Sequence, residues 1–360
     1  MRSKQLFGEI PSHIFYQLKD IFQILETLGS ARIEGNNTTL VEYIDNIIEK
    51  RNNKDEKHRE IVNLEKAIQF IEDHVDSTTA INSAFVFELH KIITKNLSAP
   101  PYGEGSRFPG MLRKNNVSIK NSTHTPPNYM LLQDYFEAFL DFINADYKEQ
   151  YQLLMVAIAH HRFSYIHPFD NGNGRMGRLL NYALLIKLGF QVKKGRIINP
   201  SSVFYADRKK YYDMLAKADS LKDKDVLAWA EYFLLGLKNE LEKIDSLLNR
   251  RYVQEKILLP ALKSSLDRKY ITEREYKILK YSIFKDGMTI KAAELDALGI
   301  KSSVNKSRAI AALRKKGILK SVTEGGRIYT IDFANNYLLR GVIESLNKEE
   351  FVSDFLNRQT

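Results

Sequence analysis

The stretch HPFDNGNGRMGR, residues 167–178, puts two arginines in the opening turn of a segment with helical periodicity. The N-terminal end of a helix already carries partial positive charge, so cations there are disfavoured unless something negative sits against them. Gly172 and Gly174 allow backbone conformations that other residues resist, so consecutive amides can converge on an anion, and the helix that follows adds its own N-terminal amides. Asn173 adds a side-chain donor. Arg175 and Arg178, three apart, share a face and can fork onto phosphate oxygens. His167, just before the turn, exchanges a proton near neutral pH, which suits activation of a hydroxyl for attack on phosphorus. A glycine-rich cap with surface arginines accounts for the glycines and arginines taken alone. The combination with histidine favours a cradle for a polyphosphate.

Outward from this stretch the chain reads as helical. Apolar positions such as Leu18, Ile21, Phe22 and Leu25 recur at three- and four-residue spacing from Pro11 to about Leu97. The run SAPPYGEGSRFPG, 98–110, concentrates Pro and Gly and interrupts helix; the alternating NVSIK at 116–120 predicts a short strand or hairpin arm, closed by HTPPNY. Helical periodicity resumes at Leu131–Phe142, 150–163, Gly174–Leu188 and 203–248. A charged amphipathic connector then leads to a new pattern at ITEREYKILKYSIF.

With 44% hydrophobic and 27% charged residues, the 360-residue chain has the balance of a folded globular protein, at a length that favours more than one domain. It contains no cysteine, which excludes disulfides and thiolate metal sites and fits a reducing, cytoplasmic setting. Its most apolar run, LLMVAIA at 153–159, is far too short to span a bilayer, so no membrane partner is expected. The net charge of +10 points to an acidic partner, and between Lys301 and Thr330 eight basic residues face the single acid Glu324. All eight histidines lie at or before His167, so imidazole chemistry belongs to the first half; His124 reads as a turn residue, and His160 and His161 as structural.

The run 167–178 resembles the signature of the Fic family, HxFx[DE]GNGRxxR, at His167, Phe169, Gly172, Asn173, Gly174, Arg175 and Arg178. The resemblance implies a mainly α fold, a Fic-type helical bundle with a β-hairpin flap, that transfers AMP from ATP to a hydroxyl of a target protein. On that pattern His167 is the general base and Phe169 anchors the loop. The amides of Gly172–Gly174 with Asn173 hold the α-phosphate, and Arg175 and Arg178 engage the β- and γ-phosphates. Where the family has an acid for Mg²⁺, this chain has Asn171, with Asp170 one place earlier. An amide offers no charge, so metal affinity should fall, and three outcomes stay open: weaker AMP transfer, compensation by Asp170, or transfer of a different nucleotide or phosphate group. SARIEGN, 30–36, is similar to the family's inhibitory motif at Ser30, Glu34 and Gly35, with Asn36 extending the likeness; it implies that Glu34 pairs with Arg178 and obstructs the γ-phosphate. The segment FPGMLRKNNVSIKNSTHTPPN resembles the flap on which an extended target segment docks. Tyr211 and Tyr212 stand where the base would lie, although such a pair also suits core packing.

Residues 271–332 predict helix, helix, basic helix and two strands about Gly325 and Gly326, an order that resembles a winged helix-turn-helix. Ser302 or Ser303 can cap the third helix, Val304, Ala309, Ala312 and Leu313 supply its inner face, and Lys306, Arg314 and Lys315, with Arg327 on the wing, are candidate DNA contacts. The expected organisation is an N-terminal helical region with the inhibitory motif (1–100), a catalytic core (101–240), a connector (241–265), a C-terminal winged helix-turn-helix domain (266–335) and a helical tail (336–360). Two functions follow: an autoinhibited AMP transferase using ATP and Mg²⁺, or a DNA-binding regulator whose core senses nucleotide. A homodimer is compatible with either.

Overall fold

The computed structural model describes residues 9–49, 55–119, 122–190, 198–334 and 336–358. Its centre is the pair α6 (Glu149–Ile166) and α7 (Asn173–Lys187). Of the two, α7 buries all but two of its residues, polar ones included, which only a helix enclosed by others can do. Around them pack α1 (Ser12–Ile33), α2 (Leu40–Ile48), α3 (Glu56–His74), α4 (Ser83–Thr94) and α5 (Leu132–Asn144), then the short α8 (Ser202–Tyr205), α9 (Arg208–Ala218) and the long α10 (Asp223–Ser246). Local chemistry sets several starts: Thr39 and Glu42 form a reciprocal capping box on α2, and the Asn82 side chain accepts from Phe85 N–H at α4.

The connector breaks only at 247–249, after which α11 (Arg250–Tyr252), a π-helical stretch Val253–Leu258 and α12 (Leu259–Asp267) follow without a break. Next come α13 (Glu273–Phe284), opened by a Thr272–Glu275 capping box, β1 (Thr289–Lys291), a 3₁₀ stretch Ala292–Leu298, α14 (Ser303–Lys315), β2 (Leu319–Ser321) and β3 (Ile328–Ile331). The antiparallel sheet has the order β1-β3-β2, with Ile290 opposite Tyr329 and Lys320 opposite Thr330. Finally α15 (Leu338–Lys348) packs on α12, and a 3₁₀ turn, Asp354–Leu356, returns to α1. The buried apolar side chains form one continuous cluster from Ile10 to Leu356.

Three local expectations change. The second helix expected at 289–299 is instead β1 followed by 3₁₀ turns, because Thr289–Lys291 pairs with β3. No strand occurs among the described residues of the flap: Asn116–Ile119 runs without a ladder partner, and Pro126 and Pro127 have no N–H to contribute to one. The inner face of α14 is Ile310 and Leu313, while Val304 is 54% exposed and Ala312 is exposed. Ser302, not Ser303, caps it. No described helix is long and apolar enough to cross a membrane.

Candidate functional site

The α6–α7 turn carries the signature residues. His167 ends α6 in the left-handed conformation (φ 50°, ψ 62°), and Gly172 begins α7 at φ 80°, so the chain reverses sharply twice within six residues. Phe169 anchors the loop: it is fully buried and stacked on His90 at 3.8 Å between ring centres. The His90 ring also spans the site's edges, with Nδ1 accepting from Gly110 N–H at 2.9 Å and Nε2 facing the Asn171 carbonyl at 3.1 Å.

Asn173 has a different task from the expected one. Its amide donates to the Phe169 carbonyl and accepts from the Phe169 N–H, both at 2.9 Å, so the side chain closes the loop and is not free to hold a phosphate. The anion donors that remain are backbone amides, since α7 has no side-chain cap.

Both arginines are buried, and both already hold carboxylates. Arg178 donates from Nε to Ser30 Oγ (2.8 Å) and from Nη2 to the Ser30 carbonyl (3.0 Å) and Glu34 Oε1 (2.6 Å). Arg175 donates from Nη1 to Glu60 (3.0 Å) and from Nη2 to the Glu104 carbonyl (2.7 Å) and carboxylate (3.2 Å). Arg175 Nε and Arg178 Nη1 are buried without a hydrogen-bond partner among the described residues, two guanidinium donors left over at the helix start. The Glu34 carboxylate lies over the glycine turn: a Cβ on Gly174 would meet Glu34 Oε1 at 2.2 Å. Burial opposes ionisation of Glu34, but the charge and hydrogen bond of Arg178, with the charges of Arg175 and Arg208, together outweigh it and hold the carboxyl below its usual range. A fixed anion therefore sits against Arg178 over the glycine turn.

His167 is half-buried, and burial lowers its pKa to about 4, the nearby Arg113 charge adding to the effect, so the imidazole is neutral at pH 7. Its Nδ1 faces the Ser164 carbonyl at 3.4 Å, which leaves Nε2 as the other ring nitrogen. Arg113 was not evident in the sequence. Buried, it donates to the carbonyls of His167 (2.9 Å), Asn115 (3.0 Å) and Pro127 (2.5 Å) and so ties the flap to the His167 turn. Glu60, Glu104 and His90 were equally silent, since a lone acid or histidine on a helical pattern carries no signal of a partner far along the chain.

The two positions proposed for Mg²⁺ both have partners within the protein. The Asp170 carboxylate accepts from Ser106 Oγ and Arg107 N–H, and the Asn171 amide donates to the Gly105 carbonyl at 2.9 Å, so both side chains are used to hold the 104–107 loop. Among the described residues no three His, Cys, Asp or Glu side chains gather to hold a metal ion. Tyr211 is also corrected. It is 2% exposed and bonded through its hydroxyl to His160 (2.9 Å), in a core network with Asn181. Tyr212 alone reaches the site's rim, 41% exposed with the Arg208 guanidinium 5.6 Å over its ring. In the C-terminal unit Lys306 is largely buried and paired with Asp296 at 2.6 Å, while Arg314, Lys315 and Arg327 are exposed.

Residues 80–185 match the family model described as Fic/DOC family. Relatives named protein adenylyltransferase Fic include one from Drosophila willistoni, 30% identical over 195 residues, 53% of this chain and 36% of that protein. Another, from Nematostella vectensis, is 28% identical over 165 residues, 45% and 35% of the two chains. This chain thus spans about a third of the length of the curated relatives it matches. Among solved structures, a Fic domain containing signaling protein from Bacteroides thetaiotaomicron superposes with a TM-score of 0.55 at 17% identity, covering 66% of this chain and 91% of that one. A Fic family protein from Desulfovibrio desulfuricans gives 0.52 at 18% identity, covering 88% and 87%, a likeness of fold that extends past the signature. Residues 80–185, which carry the glycine turn and the paired arginines, are thus the part of this chain that is similar to the Fic/DOC family.

Proposed function

We propose that this protein transfers AMP from ATP to a hydroxyl of a target protein and that Glu34 holds it in an inhibited state. The carrying observation is the Glu34 carboxylate bound to Arg178 directly over Gly174, an internal anion seated where a nucleotide's phosphate would be stabilised. In the reaction, the target oxygen bonds to the α-phosphorus while the bond to the bridging α,β-oxygen breaks, and pyrophosphate leaves. The hydroxyl proton passes to Nε2 of His167, which is neutral and free to accept it. Amides at the start of α7 and the spare guanidinium donors offset charge on the phosphates. With ATP, Glu34 must leave Arg178 before a γ-phosphate can take its place. Tyr212, with Arg208 against it, would wall the base, and the extended flap held by Arg113 would receive the target segment.

The test is incubation with ATP labelled at the α-phosphate. Glu34→Gly should raise covalent labelling of the protein itself at least ten-fold, and His167→Ala in that background should abolish it while retaining nucleotide binding. Binding without transfer in Glu34→Gly would favour the sensor reading instead.

The second reading rests on a separate observation. Arg308, Arg314 and Lys315 are exposed along α14, with Lys301 exposed just before its cap and Arg327 exposed just before β3, while Lys306, Lys316 and Lys320 are neutralised by Asp296, Glu275 and Asp332. We read 271–332 as a winged helix-turn-helix whose α14 meets DNA phosphates. Anisotropy with duplex DNA should show salt-dependent binding, and Arg308→Ala or Lys315→Ala should each reduce the salt slope by about 1. Lys306→Ala should leave that slope unchanged.

A further inference from the structure

The C-terminal half of α1 is enclosed on all sides: every residue from Leu25 to Ile33 is buried. Among them is Arg32, 1% exposed and two positions before Glu34. A guanidinium removed from water needs compensation, and a carboxylate is the usual source. Here carbonyls supply it. Arg32 donates from Nη1 to Thr38 (2.8 Å), from Nε to Phe355 (3.1 Å) and from Nη2 to Arg358 (2.5 Å), and lies 5.2 Å over the Phe355 ring. Two of its three carbonyl partners therefore come from the far end of the chain, as does the ring. The same Phe355 ring stacks on Tyr205 at 6.2 Å, and Tyr205 in turn fills the space left by Gly29, where a Cβ would come within 2.3 Å of it.

Glu34 sits between two anchors. On one side the Glu34 and Gly35 N–H groups bond back to the carbonyls of Ala31 and Arg32 at 3.1 Å, so the turn is continuous with the Arg32 backbone. On the other, Asn36 donates to the Lys57 carbonyl and to Glu60, the acid that also holds Arg175. The second anchor belongs to the helical core, whereas the first depends on residues 355 and 358.

We propose that the C-terminal segment Ser353–Arg358 is a latch that positions the inhibitory glutamate through Arg32, so that displacing the segment frees the phosphate cradle. Arg32 is then a positioning residue: without the segment it loses most of its partners, turns toward water and loosens the turn that presents Glu34. The proposal rests on the reading of Glu34 as the inhibitor and adds the element that controls it.

The test compares the full chain with a chain ending at Val352 and with Phe355→Ala, each with and without Glu34→Gly. Calorimetry with a non-hydrolysable ATP analogue supplies the affinity, and far-ultraviolet circular dichroism the check on folding. Loss of the segment should tighten analogue binding about five-fold or more, the lower end of typical allosteric coupling. In the Glu34→Gly background it should change nothing. Phe355→Ala keeps the backbone carbonyls and should give a smaller gain of the same sign, which decides the matter if the shortened chain does not fold. Unchanged affinity, or an equal gain in both backgrounds, overturns the latch while the site reading stands. Absence of analogue binding even in Glu34→Gly overturns both.

Discussion

Asn173 and His167 show how one side chain's partners decide its role. Asn173 resembles a phosphate donor in sequence, yet its two bonds to Phe169 make it the clasp of the turn. Asn173→Ala leaves that buried N–H and carbonyl unpaired, at a cost of about 1–3 kcal/mol, readable as a shift in urea midpoint. A solvent-facing phosphate donor would show no such loss. The pKa of His167, lowered to about 4, sets the acid limit of the proposed transfer. Activity of the Glu34→Gly protein should persist well below pH 6.5 and fail near pH 4 or lower, because removing Glu34 also removes a charge that favours protonation. A rate profile with its acid limb at the ordinary histidine value would contradict this.

Helix α1 has two environments along its length. Its first turns show the amphipathic spacing of a surface helix, and its last two are buried all round because α7, α8 and the C-terminal turn close over them. Gly29 marks the tightest approach. Gly29→Ala would put a methyl within 2.3 Å of the enclosed Tyr205 ring, and we expect a loss of about 1–3 kcal/mol, seen as a lowered melting temperature. Since helix propensity alone favours alanine over glycine by about 1 kcal/mol, a stabilised variant would show that the contact is slack. Helix α14 is the opposite case, held through Ile310 and Leu313 and otherwise open, which is why its inner face could not be read from hydrophobicity alone.

Across the molecule, buried histidines and buried acids set opposing responses to pH. Burial lowers His90 to about 4 and His160 to about 3, so below pH 6.5 the unfolded chain binds protons that the folded chain refuses, and stability falls on acidification. Burial raises Glu26 and Glu240 to about 7, so between pH 7 and 4.5 the folded chain binds protons that the unfolded chain does not, and stability rises on acidification. The two partly cancel, giving a shallow profile from pH 6.5 to 4.5. Glu240→Gln removes one compensating acid and should make the loss of stability over that interval steeper by roughly 1.4 kcal/mol per pH unit, measured by urea titration. Parallel profiles would mean that Glu240 is already ionised in the folded protein.

Most helices were legible in the residues, because periodicity and capping chemistry act within a few positions: the serine cap of α14, the reversal at Gly172 and the start of α7 are all local. Ser30, Glu34, Gly174 and Arg178 were legible too, through a family resemblance, and the fold brings them together. What no local pattern contains is the partner of a buried charge. Glu60 and Glu104 on Arg175, Arg113 across the flap, and the carbonyls of Phe355 and Arg358 on Arg32 join positions from 14 to 326 apart. A guanidinium taken out of water must find compensation wherever the packed chain offers it, and only the closing of α1, α7 and the C-terminal turn on one another decided which oxygens those would be.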